Sequence, residues 1–243
     1  MSDLRCALES RSPVALIRAS GQLSITTSPE LRAFLQKALA EQPEGIAIDV
    51  SELTVDDDLA LTVFTAFASS AAEWSACPVV LYAPTRAFAE AVDRLAIDRT
   101  VPVYPSRAGA LAAIAEAPPV RWYRRRLSAS PTAAAVAREV VAEACKAWAL
   151  PHLLDDAEVV ITELVANAVQ HAGGDLRLTV TRGQRFLHLS LRDGSPVVPV
   201  TRLPDPYRGE GGRGMILIDA LATAWGSTPT SDGKVVWATL RLR

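Results

Sequence analysis

The first half of the chain alternates short apolar segments with amphipathic ones, and this alternation limits the folds that are open to it. The apolar segments predict strands at residues 14–18, 45–50, 78–82 and 101–104. The amphipathic segments predict helices at residues 29–40, 58–74, 85–95 and 106–117. The first helix is well defined, since Thr27 or Ser28 can cap it and Pro29 suits its first position. This alternation is typical of an α/β layer fold in which helices pack on a small sheet.

Two adjacent prolines, at positions 118 and 119, end the last of these helices and predict a linker. We therefore expect one domain over residues 1–117 and another over residues 121–243. The second half predicts helices at residues 131–148 and 155–172, a hairpin of strands 176–181 and 186–192, and a last strand over 234–242. Residues 196–214 are rich in proline, glycine and charge, so they predict a long irregular loop.

Composition and charge exclude several classes of protein. A formal net charge of -2 provides no general attraction for nucleic acid or for an anionic membrane. No apolar run approaches the ~20 residues of a membrane-spanning helix, and the N-terminus lacks the apolar stretch of a signal peptide. Cys6, Cys77 and Cys145 are widely spaced, which fits neither a zinc site nor a disulfide framework. A cytoplasmic protein is expected.

Residues 161–171 (ITELVANAVQH) place three polar side chains at four-residue intervals on an otherwise apolar helix. Because a helix turns by about 100° per residue, Glu163, Asn167 and His171 form one stripe. The faces that can be buried carry Val160, Leu164, Val165 and Ala168. Two interpretations are open: a solvated face of a surface helix, or a site in which a metal ion or phosphate pairs the polar groups.

Two further segments of the second half carry residues that are suited to binding. The strand pattern at residues 186–192 ends in Asp193 and Gly194, although an Asp-Gly pair after a strand most often forms a simple turn. Residues 209–214 (GEGGRG) lead into a helix pattern, where free backbone N–H groups and the positive end of the helix dipole can hold a phosphate. Glycine runs also serve as flexible hinges.

In order and spacing, these three segments resemble ATP-binding boxes when they are read with Trp225, Gly226 and residues 233–238 (GKVVWA). The superfamily that they resemble includes gyrase, heat-shock chaperones, histidine kinases and MutL, and its anti-sigma-factor serine kinases are the most similar branch. The resemblance covers residues 121–242. It implies a two-layer α/β sandwich of the Bergerat type, with ATP held between the helical layer and a mobile lid.

The resemblance also implies a role for each matching residue. Asn167 corresponds to the Mg²⁺ ligand, Glu163 to the acid that orients or deprotonates an attacking hydroxyl, and Asp193 to the acceptor for the adenine amino group. The end of the lid, which contacts the phosphates, corresponds to Gly212, Arg213, Gly214 and Met215. His171 has two interpretations, a phosphate contact or a helix-end histidine that the dipole stabilises.

The first half resembles a STAS domain, the fold of anti-sigma-factor antagonists, through residues 20–31 (SGQLSITTSPEL), 48–55 (IDVSELTV) and 101–106 (VPVYPS). In members that are phosphorylated, the turn after the second segment carries a serine at a helix N-terminus. Here residues 56–60 are DDDLA, so Asp58 or, with a one-residue shift, Leu59 takes the serine position. The acids fit a plain acidic helix start, and Asp58 also partly imitates a phosphoserine. Three successive acids fit a divalent-cation site less well.

Together the two resemblances imply a regulator of transcription that acts by partner switching. It would join an ATP-binding, serine-kinase-like anti-sigma domain to a STAS domain without a phosphoacceptor, at high effective concentration. The expected partners are a sigma factor and a STAS-type antagonist, and a homodimer through the ATPase domain is expected. Three activities stay open: a protein serine/threonine kinase, a non-catalytic regulator in which ATP sets partner affinity, and an interaction protein without nucleotide.

Overall fold

The computed structural model describes residues 4–75, 77–117, 122–172, 174–197 and 213–242. The chain divides into two compact units, Met1–Val120 and Arg121–Arg243, and each contains a five-stranded sheet. The proline pair that predicts the linker lies outside the described residues. Among the helices that the structure describes, none has the length and the apolar character that crossing a membrane requires.

The sheet of the first unit has the strand order β1-β2-β3-β4-β5. Its strands are β1 (Arg5–Ser10), β2 (Val14–Leu23), β3 (Gly45–Val55), β4 (Val79–Tyr82) and β5 (Val103–Tyr104). Its helices are α1 (Ser28–Ala40), α2 (Thr62–Ser75), α3 (Arg86–Arg94) and α4 (Arg107–Glu116), with short 3₁₀ turns at Asp58–Leu61 and Ile97–Arg99. Only β1 and β2 are antiparallel neighbours in this sheet. Parallel neighbours need a crossover, which α1, α2 and α3 supply in turn.

Both faces of this sheet are buried. The helices α1, α2 and α3 contribute to the large apolar core on one face, together with residues such as Ile17, Ile48 and Leu81. The opposite face packs against α4 through a smaller cluster of Leu16, Ala47, Val80, Tyr82, Ala110 and Ile114. Burial on both faces explains why these strands are short apolar runs in the sequence rather than alternating patterns.

Three features of the first unit differ from the sequence prediction. The strand β1 was not predicted, because its residues (RCALES) are only partly buried at the edge of the sheet and show no regular apolar pattern. The strand β3 continues to Val55, beyond the predicted end at residue 50, since its polar end still pairs with β2. The helix predicted from residue 58 begins as a 3₁₀ turn, and α2 itself begins at Thr62.

The second unit is a two-layer α/β sandwich, as predicted. Its antiparallel sheet has the strand order β6-β7-β8-β10-β9. The strands are β6 (Trp122–Ser128), β7 (Asp175–Arg182), β8 (Phe186–Asp193), β9 (Ala224–Pro229) and β10 (Lys234–Arg241). The helices are α5 (Ala133–Ala147), α6 (Leu154–His171) and α7 (Arg213–Leu221), with a 3₁₀ turn at Pro151–Leu153. The hairpin and the last strand were predicted, whereas the edge strands β6 and β9 were not.

One face of this sheet forms the core with the helices. Leu187, Leu189 and Leu191 of β8 are fully or almost fully buried there, against residues of α5, α6 and α7. The strand β10 adds Val236, Ala238 and Leu240 to the same core. Side chains alternate between the two faces of a strand, so Asp193 and Lys234 continue these two rows and lie on the helical side of the sheet.

Candidate functional site

The helix α6 supplies two half-buried polar side chains, Glu163 and Asn167, one turn apart. The Nδ2 atom of Asn167 is fully buried, and no described residue hydrogen-bonds to it. An amide atom buried in this way costs free energy unless a ligand pairs it. The third member of the predicted stripe, His171, is the last residue of α6 and is exposed.

Glu163 lies directly against the first turn of α7. A Cβ atom built on Gly214 would collide with a carboxylate oxygen of Glu163 and would lie 3.2 Å from its Cδ atom. A side chain at position 214 would therefore displace the Glu163 carboxylate from the place it occupies. The fold thus brings together two segments that lie about fifty residues apart in the chain, the polar stripe of α6 and the start of α7.

The other residues that were predicted for the lid end have different places. The side chain of Met215 is 5% exposed and packs in the apolar core, so only its backbone is left to contact a ligand. Gly212 lies outside the described residues, and for Arg213 the structure describes the backbone, as the first residue of α7.

Asp193 is the last residue of β8 and forms a buried ion pair with Lys234, the first residue of β10. The Lys234 ammonium donates to Oδ1 of Asp193 at 2.8 Å and to the carbonyl oxygen of Ser195 at 3.2 Å. The backbone N–H of Ser195 donates to the same Oδ1 atom, also at 2.8 Å. The other carboxylate oxygen, Oδ2, is buried and accepts no hydrogen bond from any residue that the structure describes.

Gly233 allows the strands that carry this pair to come close. A Cβ atom at Gly233 would lie 2.7 Å from Cα of Gly194 and would collide with the carbonyl oxygen of Asp193. Lys234 is the direct cross-strand partner of Asp193 in the β8/β10 ladder, so the two side chains emerge side by side on one face.

The topology places Asp193 near the end of α6 that carries the polar stripe. The helix ends at His171, and β7 begins nearby at Asp175. Since β8 returns antiparallel to β7 and pairs Arg192 with Arg177, its last residue comes back to the start of β7. Since α6 packs against β8, the C-terminal ends of both elements lie toward the same edge of the helix–sheet interface. By this topology Nδ2 of Asn167 and Oδ2 of Asp193, which have no hydrogen-bond partner in the described part of the chain, lie toward the same edge.

The sequence predicted no role for Lys234, although this residue lies in the segment 233–238 (GKVVWA), which resembles part of an ATP-binding box. The signal is a lysine directly after a glycine at the start of a strand that is otherwise apolar. Its partner lies 41 residues earlier in the chain, and the pairing depends on the register of β10 on β8. Such a nonlocal register is set by packing, which the local pattern does not contain.

In the first unit, Asp57 and Asp58 have different partners at the start of the 3₁₀ turn. The carboxylate of Asp57 accepts a hydrogen bond from the N–H of Leu59 at 2.8 Å, which is the acidic helix start that the sequence predicted. Asp58 instead forms a two-point ion pair with Arg94 of α3, at 2.8 Å and 3.0 Å. The hydrogen bond and charge of Arg94 lower the pKa of the Asp58 carboxyl.

The ion pair of Asp58 with Arg94 argues against two interpretations of the acidic run, a phosphoserine-like patch and a divalent-cation site. A phosphoserine-like patch would present unpaired negative charge, whereas the charge of Asp58 is paired within its own domain. Among the described residues, no group of three histidine, cysteine or acidic side chains is placed to hold a metal ion. Leu59 at the tip of the turn is 59% exposed, so the surface around Asp58 is partly apolar.

Comparison with known proteins agrees with the two units. Residues 6–104 match the family model described as Mlab, STAS domain, and residues 127–240 match that of the histidine kinase-like ATPase domain. The chain is therefore a fusion of a STAS domain with a histidine kinase-like ATPase domain. A histidine kinase-like ATPase domain implies ATP binding.

Several solved structures are similar to about half of the chain. An anti-sigma factor antagonist from Mycobacterium paratuberculosis is 22% identical, with 47% of this chain and 96% of that chain covered and a TM-score of 0.41. A candidate antagonist from Thermotoga maritima is 15% identical, with 48% and 96% covered and a TM-score of 0.39. The antagonist SpoIIAA in its unphosphorylated form is 13% identical, with 46% and 96% covered and a TM-score of 0.37. No curated protein matches the chain.

Proposed function

We propose that the second domain binds Mg·ATP and that the chain is a cytoplasmic partner-switching regulator with protein serine/threonine kinase activity. The observation that supports this most directly is a pair of buried polar atoms, Nδ2 of Asn167 and Oδ2 of Asp193, to which no residue of the described part of the chain hydrogen-bonds. A fold that buries two such atoms at one edge of a helix–sheet interface is expected to satisfy them with a ligand.

The residues at this edge are suited to both ends of Mg·ATP, the phosphates with their Mg²⁺ ion and the adenine base. The side-chain amide of Asn167 offers an oxygen to a Mg²⁺ ion or a nitrogen to a phosphate, since a rotation of the amide by half a turn exchanges the two atoms. Oδ2 of Asp193 can only accept, which suits the amino group of adenine. The start of α7 beside Glu163 offers backbone N–H groups to phosphates.

Glu163 is the group that would serve the chemical step. In phosphoryl transfer, the oxygen of a serine or threonine hydroxyl bonds to the γ-phosphorus while the bond from that phosphorus to the bridging oxygen of ADP breaks. The proton of the hydroxyl passes to the carboxylate of Glu163. Bound Mg²⁺ supplies charge neutralisation at the phosphates. The acceptor belongs to a separate STAS-type antagonist, because Asp58 has no hydroxyl and is paired with Arg94.

Nucleotide binding is tested by titration calorimetry with Mg·ATP on the full chain. We expect Asn167→Ala to weaken binding at least tenfold, because the ligand loses a buried polar partner. The matched control is Gln170→Ala, an exposed position on the same helix, which should bind as the unchanged protein does. Equal affinities for both variants and the unchanged protein would refute the site, and no binding by the unchanged protein would refute nucleotide dependence altogether.

Phosphoryl transfer is tested with labelled ATP, Mg²⁺ and candidate STAS antagonists. Glu163→Gln keeps the shape that Gly214 accommodates but removes the carboxylate, so transfer should fall by a factor of ~10² or more while ATP binding persists. The alternative function is a non-catalytic regulator in which ATP only sets partner affinity. Tight ATP binding without transfer in the unchanged protein, with ATP-dependent binding of a sigma factor or antagonist, would establish that alternative.

A further inference from the structure

The carboxylate of Asp193 is asymmetric in its hydrogen bonding. Its Oδ1 atom receives two donors at 2.8 Å, the N–H of Ser195 and the ammonium of Lys234. Its Oδ2 atom receives none from the described residues, although it is fully buried. Oδ1 is therefore already hydrogen-bonded within the protein, whereas Oδ2 has an acceptor site that no described residue uses and that a ligand could use.

Lys234 fixes this arrangement from the neighbouring strand. Its side chain is 2% exposed and that of Asp193 is 0% exposed, so the ion pair is formed away from water. The ammonium is anchored a second time by the carbonyl oxygen of Ser195, at 3.2 Å. A buried lysine with two anchors has little freedom to move, and it holds the carboxylate in one orientation.

We propose that Lys234 is a positioning residue for base selection: it holds Asp193 so that only Oδ2 faces the ligand, and the domain thereby selects purines with an amino group at position 6. The inference rests on the proposed function, since it presumes a purine nucleotide at this edge. An ionised carboxylate oxygen accepts a hydrogen bond from a 6-amino group. At the same place a 6-oxo group presents a second acceptor, which leaves two buried lone pairs facing each other.

The matched pair of probes is ATP and ITP, which differ at the purine 6-position and in the protonation of the adjacent N1. Calorimetry of the full chain with each nucleotide and Mg²⁺ gives the ratio of the two affinities. For the unchanged protein we expect ATP to bind at least tenfold more tightly than ITP. For Lys234→Met, which keeps the length of the side chain, we expect this ratio to fall at least fivefold through weaker ATP binding. The control is Lys146→Met, an exposed lysine of α5, which should leave the ratio unchanged.

Lys234→Met leaves the buried carboxylate of Asp193 without its partner, and this variant could fail to fold. A double variant then tests the same inference. Asp193→Asn combined with Lys234→Met removes both charges together, so the interior stays neutral. Because an amide can either accept from a 6-amino group or donate to a 6-oxo group, its ATP to ITP ratio should approach one. Circular dichroism and the thermal midpoint without nucleotide check that each variant is folded.

The outcomes separate this inference from the function on which it rests. Equal weakening of ATP and ITP in Lys234→Met would show that the lysine only supports the fold, and an unchanged ratio in the folded double variant would likewise overturn base selection by this pair. Either result leaves Mg·ATP binding in place. If the unchanged protein binds neither nucleotide, the proposed function fails and base selection fails with it.

Discussion

At the scale of single residues, His188 is a buried group outside the candidate site. It lies in β8 opposite Thr181 and Thr239 of the neighbouring strands, with the ring of Phe186 edge-on at 6.1 Å between centroids. Both ring nitrogens are buried and have no hydrogen-bond partner among the described residues. Burial disfavours the imidazolium form and lowers the pKa of His188 from 6.5 to about 3.

This buried histidine predicts a loss of stability in mild acid. The unfolded chain takes up the proton near pH 6.5 while the folded chain does not until about pH 3, so stability falls as the pH falls through this window. Between about pH 7.5 and about pH 5.5 the contribution of this residue is a loss of about 1.4 kcal/mol. Urea unfolding at both pH values, compared between the unchanged protein and His188→Leu, isolates the effect.

The control for this comparison is His152→Gln, because His152 is exposed. That variant should lose as much stability on acidification as the unchanged protein does. His188→Leu should lose about 1.4 kcal/mol less. An acid response of His188→Leu identical to that of the unchanged protein would mean that the ring is protonated, or exposed to water, in the folded state.

At the scale of elements, the β8/β10 ladder decides whether the candidate site forms. Gly233 lets the backbone of β10 approach the end of β8, where a Cβ atom would meet backbone atoms that cannot move aside. We predict that Gly233→Ala destabilises the domain by about 1–3 kcal/mol, because overpacking shifts the strand. It should also weaken ATP binding, since the displaced strand carries Lys234. Chemical denaturation and calorimetry measure the two effects.

Gly194→Ala is the matched control for this prediction. It lies in the same turn region, but the nearest atom to its Cβ is the carbonyl oxygen of Asp232, at an ordinary 3.8 Å. Its stability and its ATP affinity should stay close to those of the unchanged protein. Equal losses in both variants would mean that the close approach at Gly233 is not the cause.

At the scale of the whole molecule, the fusion joins a proposed kinase domain to a STAS domain in which, in our proposal, Asp58 takes the place of the phosphoacceptor. We predict that the chain incorporates no phosphate into its own STAS domain, and that Asp58→Ser makes residue 58 a phosphorylation site. The tether provides a high effective concentration of the new acceptor. Incubation with Mg·ATP, followed by mass spectrometry of the peptide around residue 58, measures the result.

Two controls define the result of this experiment. Asp58→Ala removes the ion pair with Arg94 equally but adds no hydroxyl, so it should stay unmodified. Adding Glu163→Gln to Asp58→Ser should abolish the modification if this chain is its own kinase. Phosphate on residue 58 that persists in that double variant would contradict the role of Glu163, and phosphate on the unchanged chain would contradict the assignment of Asp58.

The sequence by itself determined the elements whose patterns are local. Apolar runs between amphipathic segments predicted the layer fold of the first unit, and the spacing of polar residues on α6 predicted which face would be buried. The half-exposed strands β1, β6 and β9 were missed, because an edge strand carries only a weak apolar pattern and gains its hydrogen bonds from its neighbour.

The tertiary structure decided the contacts between residues that are far apart in the chain. The closeness of Glu163 to Gly214, the ion pair of Asp58 with Arg94 and the burial of Lys234 against Asp193 each depend on how elements pack, and packing is not encoded in any short segment. Residue types and their order indicated which side chains could bind a nucleotide. The register of β10 on β8 shows that Oδ1 of Asp193 is bound by Lys234, while Oδ2 has no partner among the described residues and, in our proposal, accepts a hydrogen bond from the ligand.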